Sequence, residues 1–322
     1  MNLRLPLFVL AVIALAGPAG PAVGQSNSGQ PIKIVVPAGP GGPTDVLARL
    51  IAERLQSALG QSAFVENRGG AGGVIGARAV ANAPPDGQTL LFGNTATLAN
   101  IPAISKSAGY DPNKAFTAVA KIMDAYHILA VAPELPVHSL AELIAYAKAN
   151  PGKLNFSAAG VGNLTHLSGE LLKAKTGIDF VTLQYKSGAE AVNAMLTGQV
   201  QFTINSAAAP LVQEGRLRAL AVTSATRKPE YPDLPTMMEA GVPGYVVTSF
   251  FGVVAPAGTP KAIVDRINEA INEGLSSETF RTAVQRLGGQ TTPETPEQFQ
   301  SLIAEEYRKW VDIATSANIK TD

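Results

Sequence analysis

Two kinds of segment alternate along this chain: short runs of β-branched and apolar residues, and longer segments whose apolar residues recur at helical spacing. The run Ile32–Val36 predicts a buried strand, and it ends in a loop of glycine and proline. The loop leads into a predicted amphipathic helix, whose apolar face carries Val46, Leu47, Leu50, Ile51 and Leu55. This order recurs several times, so the sequence predicts an α/β fold of mostly parallel sheets flanked by helices.

The order of these units predicts two lobes. Residues 119–131 form an apolar stretch that suits one long strand or a pair of strands, and the strand, loop and helix pattern starts again after it. A second extended stretch, residues 247–255, follows a segment rich in proline and turn residues. We expect the chain to cross between two sheets at these two stretches, which would act as hinges. The expected lobes are residues 25–122 with 225–322, and residues 123–224.

Four strand-to-helix junctions combine glycine with small hydroxyl or amide residues. They are residues 40–45, 94–95, 158–163 and 185–188. The uncovered N–H groups and the dipole at a helix N-terminus favour a carboxylate or a phosphate. Ligands of open α/β sheets bind at the carboxyl ends of the strands. If the lobes face each other, the first two junctions and the last two form opposite walls of one cleft.

The first 24 residues are typical of a secretory signal peptide. Arg4 precedes an unbroken apolar run, residues 7–16, which is too short to span a bilayer. Ala22, Val23 and Gly24 then have the small-x-small form of a cleavage site. We therefore expect cleavage after Gly24 and export of residues 25–322.

Composition argues against several classes of protein. Lysine and arginine number 25 and so do aspartate and glutamate, so neither nucleic acid nor an anionic membrane is an expected partner. The chain has no cysteine, which excludes disulfides and a thiolate nucleophile. We find no Gly-x-Ser-x-Gly elbow and no cluster with metal-ligand spacing. The glycines of residues 70–76 lack the spacing of a dinucleotide site. We expect no cofactor, no metal and no catalytic residues.

Several longer motifs follow one another along the chain. They are Pro40-Gly41-Gly42 with Asp45, Ala48 and Arg49; Val65-Glu66-Asn67-Arg68 with the glycines up to Gly76; Pro85-Asp86-Gly87; Ser157, Gly160 and Gly162 with His166; Tyr185-Lys186 with Gly188; Leu234-Pro235-Thr236; and Ala255-Pro256-Ala257-Gly258-Thr259-Pro260. In these motifs the chain resembles the Bug/TctC family, the extracytoplasmic solute-binding receptors of tripartite tricarboxylate transporters. The resemblance implies a two-lobed periplasmic binding protein of type II-like fold, which closes over a small carboxylated solute in the cleft between its lobes.

The resemblance also implies that the solute is held by backbone amides, short polar side chains and ordered waters. Gly41, Gly42 and Asp45 are then expected in the first wall, and the loop from Gly160 to His166 in the second. The full set of candidate ligand-binding residues is Pro40, Gly41, Gly42, Thr44, Asp45, Asn94, Thr95, Ser157, Gly160, Gly162, Asn163, His166, Tyr185, Ser187 and Ser206.

Some candidates have a structural alternative. Asp45 suits a helix cap as well as a ligand contact, and His166 suits packing on the core as well as donation to a carboxylate. Ser187 suits an N-cap better than a nucleophile. His127 and His138 have no motif context, and we expect them to be structural or at the surface.

The expected function is capture of a small aliphatic or aromatic mono- or dicarboxylate by a periplasmic monomer, with delivery to the membrane permease subunits of the transporter. A receptor that feeds a membrane histidine kinase is one alternative. A secreted α/β hydrolase or esterase is an alternative from another class, and it needs a nucleophile, a base and an orienting acid together. With three histidines and no elbow motif, the sequence offers no convincing set.

Overall fold

The computed structural model describes residues 29–287 and 289–316, so the predicted signal peptide and its cleavage site lie outside the described residues. The strands are β1 Ile32–Val36, β2 Ala63–Asn67, β3 Thr89–Asn94, β4 Phe116–Tyr126, β5 Ile128–Val131, β6 Asn155–Ala158, β7 Val181–Gln184, β8 Phe202–Asn205, β9 Arg218–Val222, β10 Thr248–Pro256 and β11 Gly289–Gln290. The helices are α1 Pro43–Leu59, α2 Val74–Ala81, α3 Ile101–Ile104, α4 Pro112–Ala115, α5 Leu140–Ala149, α6 Leu164–Thr176, α7 Gly188–Leu196, α8 Ala209–Gln213, α9 Lys261–Leu275, α10 Glu278–Arg286 and α11 Pro296–Ser316.

The strands form two sheets, which confirms the expected two-lobed α/β architecture. The first sheet has the order β11-β4-β10-β3-β1-β2 and the second the order β7-β6-β8-β5-β9. Parallel pairing joins β1 to β2 and β3, and β6 to β7 and β8, whereas the other pairs are antiparallel. Both sheets are therefore mixed and not mostly parallel as predicted. The reason is that β5 and β10 each begin at the sheet edge where their neighbouring strands end. They therefore run antiparallel to those neighbours.

The chain crosses from the first sheet to the second at His127, which separates β4 from β5. Of the two alternatives for residues 119–131, the pair of strands is therefore confirmed. The return crossing runs from β9 to β10, and Thr223 ties the two crossings together. The N–H of His127 donates to Thr223 Oγ1 (2.9 Å), and the N–H of Val247 donates to the Thr223 carbonyl (2.9 Å). The lobe boundaries expected at 122/123 and 224/225 lie near these crossings and stay predictions.

Each lobe has its own hydrophobic core between sheet and helices. Leu55, Val253 and Ile271 belong to a cluster of the first lobe, whereas Phe156 and Phe202 belong to a cluster of the second. The long helix α11 contributes Phe299 and Ile303 to the first lobe and the buried Trp310 to the cluster of the second. It therefore braces both lobes. Among the helices that the structure describes, none is both long enough and apolar enough to cross a membrane.

Candidate functional site

The two crossings bring together the sheet edges that carry the predicted loops. Strand β10 runs antiparallel to both β3 and β4, so β4 ends at the same edge as β1, β2 and β3. On the other side of His127, Ile128 begins β5 opposite Asn205, the last residue of β8. The crossing thus joins the carboxyl ends of the parallel strands in one sheet to those in the other. The loops after β1 and β3 therefore face the loops after β6, β7 and β8 across a cleft.

Asp45 anchors the loop of the first wall. Its carboxylate accepts hydrogen bonds from the Gly41 N–H (2.9 Å), from Nε and Nη2 of Arg49 (3.0 Å each) and from Asn67 Nδ2 (2.9 Å). The Arg49 hydrogen bonds, with those from Gly41 and Asn67, lower the pKa of Asp45 to about 2. Because four N–H donors occupy this ionised and buried carboxylate, its principal role is to fix the loop.

The start of α1 has backbone amides that precede the first hydrogen bond inside the helix. The first N–H that donates within α1 belongs to Val46, which bonds to the Gly42 carbonyl (3.0 Å). The amides of Thr44 and Asp45 precede that bond, so they lie at the positive end of the helix. A Cβ added to Gly42 would meet no atom within 4 Å. Pro40 is exposed, whereas the side chain of Thr44 is buried.

Asn94 and Thr95 hold the loop after β3 in place. The Asn94 side chain accepts the N–H of Thr97 (3.1 Å). The hydroxyl of Thr95 accepts the N–H of Phe250 (2.7 Å), and Thr95 is only 2% exposed. Both residues thus lie at the carboxyl edge of the first sheet, but their side chains already accept hydrogen bonds from the protein backbone.

The second wall is a loop whose glycines adopt left-handed backbone angles. Gly160 has φ 100° and Gly162 has φ 75°, a region that glycine enters without strain. The N–H of Gly162 donates to Nδ1 of His166 (3.2 Å), and Asn163 caps α6 by accepting the N–H of Thr165 (3.1 Å). Burial lowers the pKa of His166. Since Nδ1 accepts, the neutral ring carries its hydrogen on Nε2 and can donate it to a ligand.

The same hydrogen bond shapes several helix starts. In each, the residue before the N-cap donates its N–H to the side chain of the third helical residue. The pairs are Gly41 with Asp45, Gly162 with His166, Lys186 with Glu190, and His138 with Glu142. Asp45 and His166 therefore occupy equivalent positions in the two walls. Of these two side chains, only the histidine keeps an N–H donor for an anion.

Three further candidates follow or lie within the strands of the second sheet. Ser187 is the N-cap of α7 and accepts the N–H of Glu190 (3.2 Å), which confirms its predicted capping role. The hydroxyl of Tyr185 lies 3.4 Å from Gln199, which precedes β8 at the opposite edge of the sheet. Ser157 is fully buried, and its Oγ has no hydrogen-bond partner among the described residues.

Sequence reasoning did not select His127 as a site residue. The structure places it, only 6% exposed, at the crossing between the sheets, where its Nδ1 accepts the N–H of the candidate Ser206 (3.0 Å). Its Nε2 is buried without a partner in the part of the chain that the structure describes. Burial lowers the pKa of His127 to about 4. Lys121 and Asp124 also interrupt the apolar stretch 119–131, so the sequence did not single out His127.

Acidification from pH 7 to pH 4 is expected to destabilise the fold through His127. Its pKa is 6.5 in the unfolded chain and about 4 in the folded protein, so the unfolded state binds more protons between these values. The contribution of neutral His127 to the free energy of unfolding is therefore fully present above pH 6.5. It falls by about 3 kcal/mol as the pH is lowered towards 4.

Chemical denaturation of the wild type and of His127→Phe across this range tests the expectation. The variant should lose this part of the pH dependence, and an equal slope in both proteins would contradict it. The contribution of Asp45 lies in a separate window, because its lowered pKa removes stability only as the pH falls from 3.8 towards about 2.

Two α/β lobes, two extended crossings and opposed helix N-termini across a cleft define a solute-binding protein of the two-lobed class. A family model described as the tripartite tricarboxylate transporter family receptor, TctC, matches residues 47–319. The chain belongs to this family, whose members are periplasmic solute-binding receptors and not enzymes.

Individual relatives agree with this assignment. BugT of Bordetella pertussis is 37% identical over 324 residues, which cover 99% of each chain. A protein of R. palustris solved with adipate has 38% identity and a TM-score of 0.78, over 90% of this chain and 98% of that one. MatC of Rhodopseudomonas palustris, solved with bound malate, has 34% identity and a TM-score of 0.75, over 88% of this chain and 98% of that one. The predicted family and two-lobed fold are thereby confirmed.

Proposed function

We propose that this receptor captures a small mono- or dicarboxylate in the periplasm and closes its lobes over it. The observation that carries the proposal is that α1 and α6 both begin at the carboxyl edges of their sheets, and that the crossing at His127 joins these two edges. Burying a carboxylate costs several kcal/mol, and each hydrogen bond to a charged group contributes about 1.5–3 kcal/mol. Three or four amide and imidazole donors are therefore sufficient. The adipate and malate bound by two relatives support the same chemical class.

The arrangement of the arginines favours one or two carboxylates over a tricarboxylate. Arg49 is engaged by Asp45, and Arg68 pairs with Glu66 (2.7 Å). Neither guanidinium is a free counter-ion for a highly charged solute. We therefore assign the main anion contact to neutral donors, namely the helix-end amides and the Nε2–H of His166.

Lobe closure supplies the selectivity of such a receptor. A ligand that contacts both walls stabilises the closed state by its differential affinity for closed over open. The two crossings, at His127 and between β9 and β10, are the segments that would absorb the rotation. Delivery of the solute to permease subunits, action as a monomer and cleavage near Gly24 belong to the same proposal.

Two other functions are distinguishable by experiment. A receptor for a sensor kinase would change transcription in response to the acid, whereas a transport receptor would be required for its uptake. A hydrolase would use Ser187, but the structure places its hydroxyl as an N-cap on Glu190. We expect no turnover of model esters by the wild type or by Ser187→Ala.

A thermal-shift screen of residues 25–322 tests the proposed ligand class. The panel holds adipate, malate, citrate, aspartate, nicotinate and terephthalate, with adipamide as the uncharged control for adipate. A saturable rise in Tm with one subset of acids, and none with adipamide, is the expected result, since a ligand of the native state stabilises it by mass action. An equal rise with adipamide, or none with any acid, would contradict carboxylate recognition.

Two replacements of His166 separate its two expected roles. His166→Asn keeps an acceptor near the Nδ1 position for the Gly162 N–H but removes the outer donor. His166→Gln keeps a donor near the Nε2 position but gives up that acceptor. If His166 donates to the acid, the asparagine variant should lose about 1–3 kcal/mol of binding with little loss of Tm.

The glutamine variant should show the opposite pattern, with a lower Tm and a smaller loss of affinity. Isothermal titration with the strongest acid of the panel gives the affinities, and thermal unfolding without ligand gives the stabilities. Unchanged affinity in His166→Asn would mean that the ring only holds the loop.

A further inference from the structure

His127 carries a buried hydrogen-bond donor that the described residues leave without an acceptor. Its Nδ1 accepts the N–H of Ser206 (3.0 Å), so the hydrogen of the neutral ring lies on Nε2. That Nε2 has no partner among residues 29–287 and 289–316, although the residue is more than nine-tenths buried. Unpaired buried donors are rare because losing water without a replacement is costly. An acceptor enclosed together with the ring is therefore expected.

The position of the ring relates it to the cleft. In the parallel pairing of β6 with β8, Ser157 lies opposite Thr203, so the two strands end at the same edge of the sheet. Ser206, whose N–H bonds to His127, directly follows β8 at that edge. On the first-lobe side, Tyr126 pairs with Thr248 at the start of β10. His127 therefore lies at the cleft floor, between the two rows of loops.

We propose that the Nε2–H of His127 donates a hydrogen bond to an oxygen of the bound acid, at the end of the solute remote from the helix N-termini. The inference rests on the proposed function and deepens it, because it adds a second polar contact at the cleft floor. One carboxylate lies at the amides of α1 and α6, and the second reaches His127. A dicarboxylate satisfies both ends, whereas a monocarboxylate of equal length leaves the donor unpaired.

Adipate and hexanoate test this directly, because they share a six-carbon chain and differ in the second carboxylate. Wild-type residues 25–322 should bind adipate more tightly than hexanoate. In His127→Phe the affinity for adipate should fall about tenfold to a hundredfold, with a much smaller change for hexanoate. His127→Gln retains a donor near the Nε2 position and should recover part of the preference for adipate.

Tyr245→Phe is the matched control for a purely structural effect. Its buried hydroxyl donates to the Ser168 carbonyl (2.7 Å), and the residue belongs to the hydrophobic cluster that holds Phe156 and Phe202. Removal should lower Tm but leave the ratio of adipate to hexanoate affinity unchanged. If His127→Phe likewise leaves that ratio unchanged, or if the wild type binds both acids equally, His127 does not contact the solute.

A measurement on the wild type covers the case in which the variants do not fold. The protein is labelled with ¹⁵N-histidine, and its three histidines are resolved with the aid of His138→Gln and His166→Asn. Adipate should shift the Nε2–H proton of His127 downfield, as expected for a new charge-assisted hydrogen bond.

An unchanged signal at saturating adipate would show that the solute does not accept the hydrogen bond of the ring. Failure of the wild type to bind any acid of the panel would overturn the proposed function as well. Adipate binding without a response at His127 would overturn this inference alone.

Discussion

Replacement of Gly42 by valine is expected to weaken binding of the captured acid by tenfold or more. The valine side chain would project into open space beside the start of α1, where a Cβ meets no atom within 4 Å and where the solute is proposed to lie. The fold should tolerate the change, because Gly42 has φ −81° and ψ 171°, an extended conformation open to any residue. The weaker N-cap costs about 1 kcal/mol or less.

Gly39→Val is the control for this experiment. Gly39 lies in the same loop, is exposed and also has open space around its Cα, but it lies farther from the start of α1. Titration calorimetry of both variants should therefore show a loss of affinity only for Gly42→Val, with similar Tm values for the two. Equal affinities would remove the first wall from the binding site.

Replacement of Asp45 by alanine is expected to cost about 2–4 kcal/mol of stability and to abolish acid binding. The change leaves the N–H of Gly41 without its acceptor. Asn67 Nδ2 keeps only the Ala38 carbonyl (3.3 Å), and Arg49 keeps only the Asn67 side-chain oxygen (3.5 Å). The loop that presents the α1 amides then loses its anchor. The guanidinium of Arg49, no longer paired with Asp45, would attract acids. Without an ordered loop, however, it cannot replace the directed amide donors at the start of α1.

Asp45→Asn sharpens the interpretation because it preserves size. Its NH₂ group would face the donors that now surround the carboxylate, so we expect a loss of stability nearly as large. Asp265→Ala removes an exposed aspartate that pairs with Lys261 (2.7 Å) and should cost less than about 1 kcal/mol. Urea denaturation compares the three variants. Wild-type affinity in Asp45→Ala would show that the loop is not held by this residue.

The local parts of the site could be predicted from the sequence. Ser187 caps α7 as its sequence context predicted, and Ser139, Asn163 and Ser277 cap their helices through the same kind of hydrogen bond. These hydrogen bonds join residues two or three positions apart, so short motifs contain the information. The glycine loops of both walls were found for the same reason.

The roles of the polar side chains were less predictable. Thr95 was selected as a ligand contact, yet its hydroxyl accepts an N–H from Phe250, 155 residues further along the chain. His127 was set aside, yet the structure gives it a bond to Ser206 and an unpaired Nε2 at the cleft floor. Whether a hydroxyl or a ring nitrogen is free depends on which distant backbone groups surround it, and spacing along the chain does not contain that information.

Sequence alone thus determined the strand, loop and helix units, the cap at Ser187, the family and the glycine-rich junctions between strands and helices, because all of these are carried by short motifs. The tertiary structure decided the mixed pairing of the sheets and the position of His127. Each of those depends on contacts such as that of His127 with Thr223, 96 residues away. Such contacts exist only after the chain has crossed twice between the lobes and brought the two sheet edges face to face.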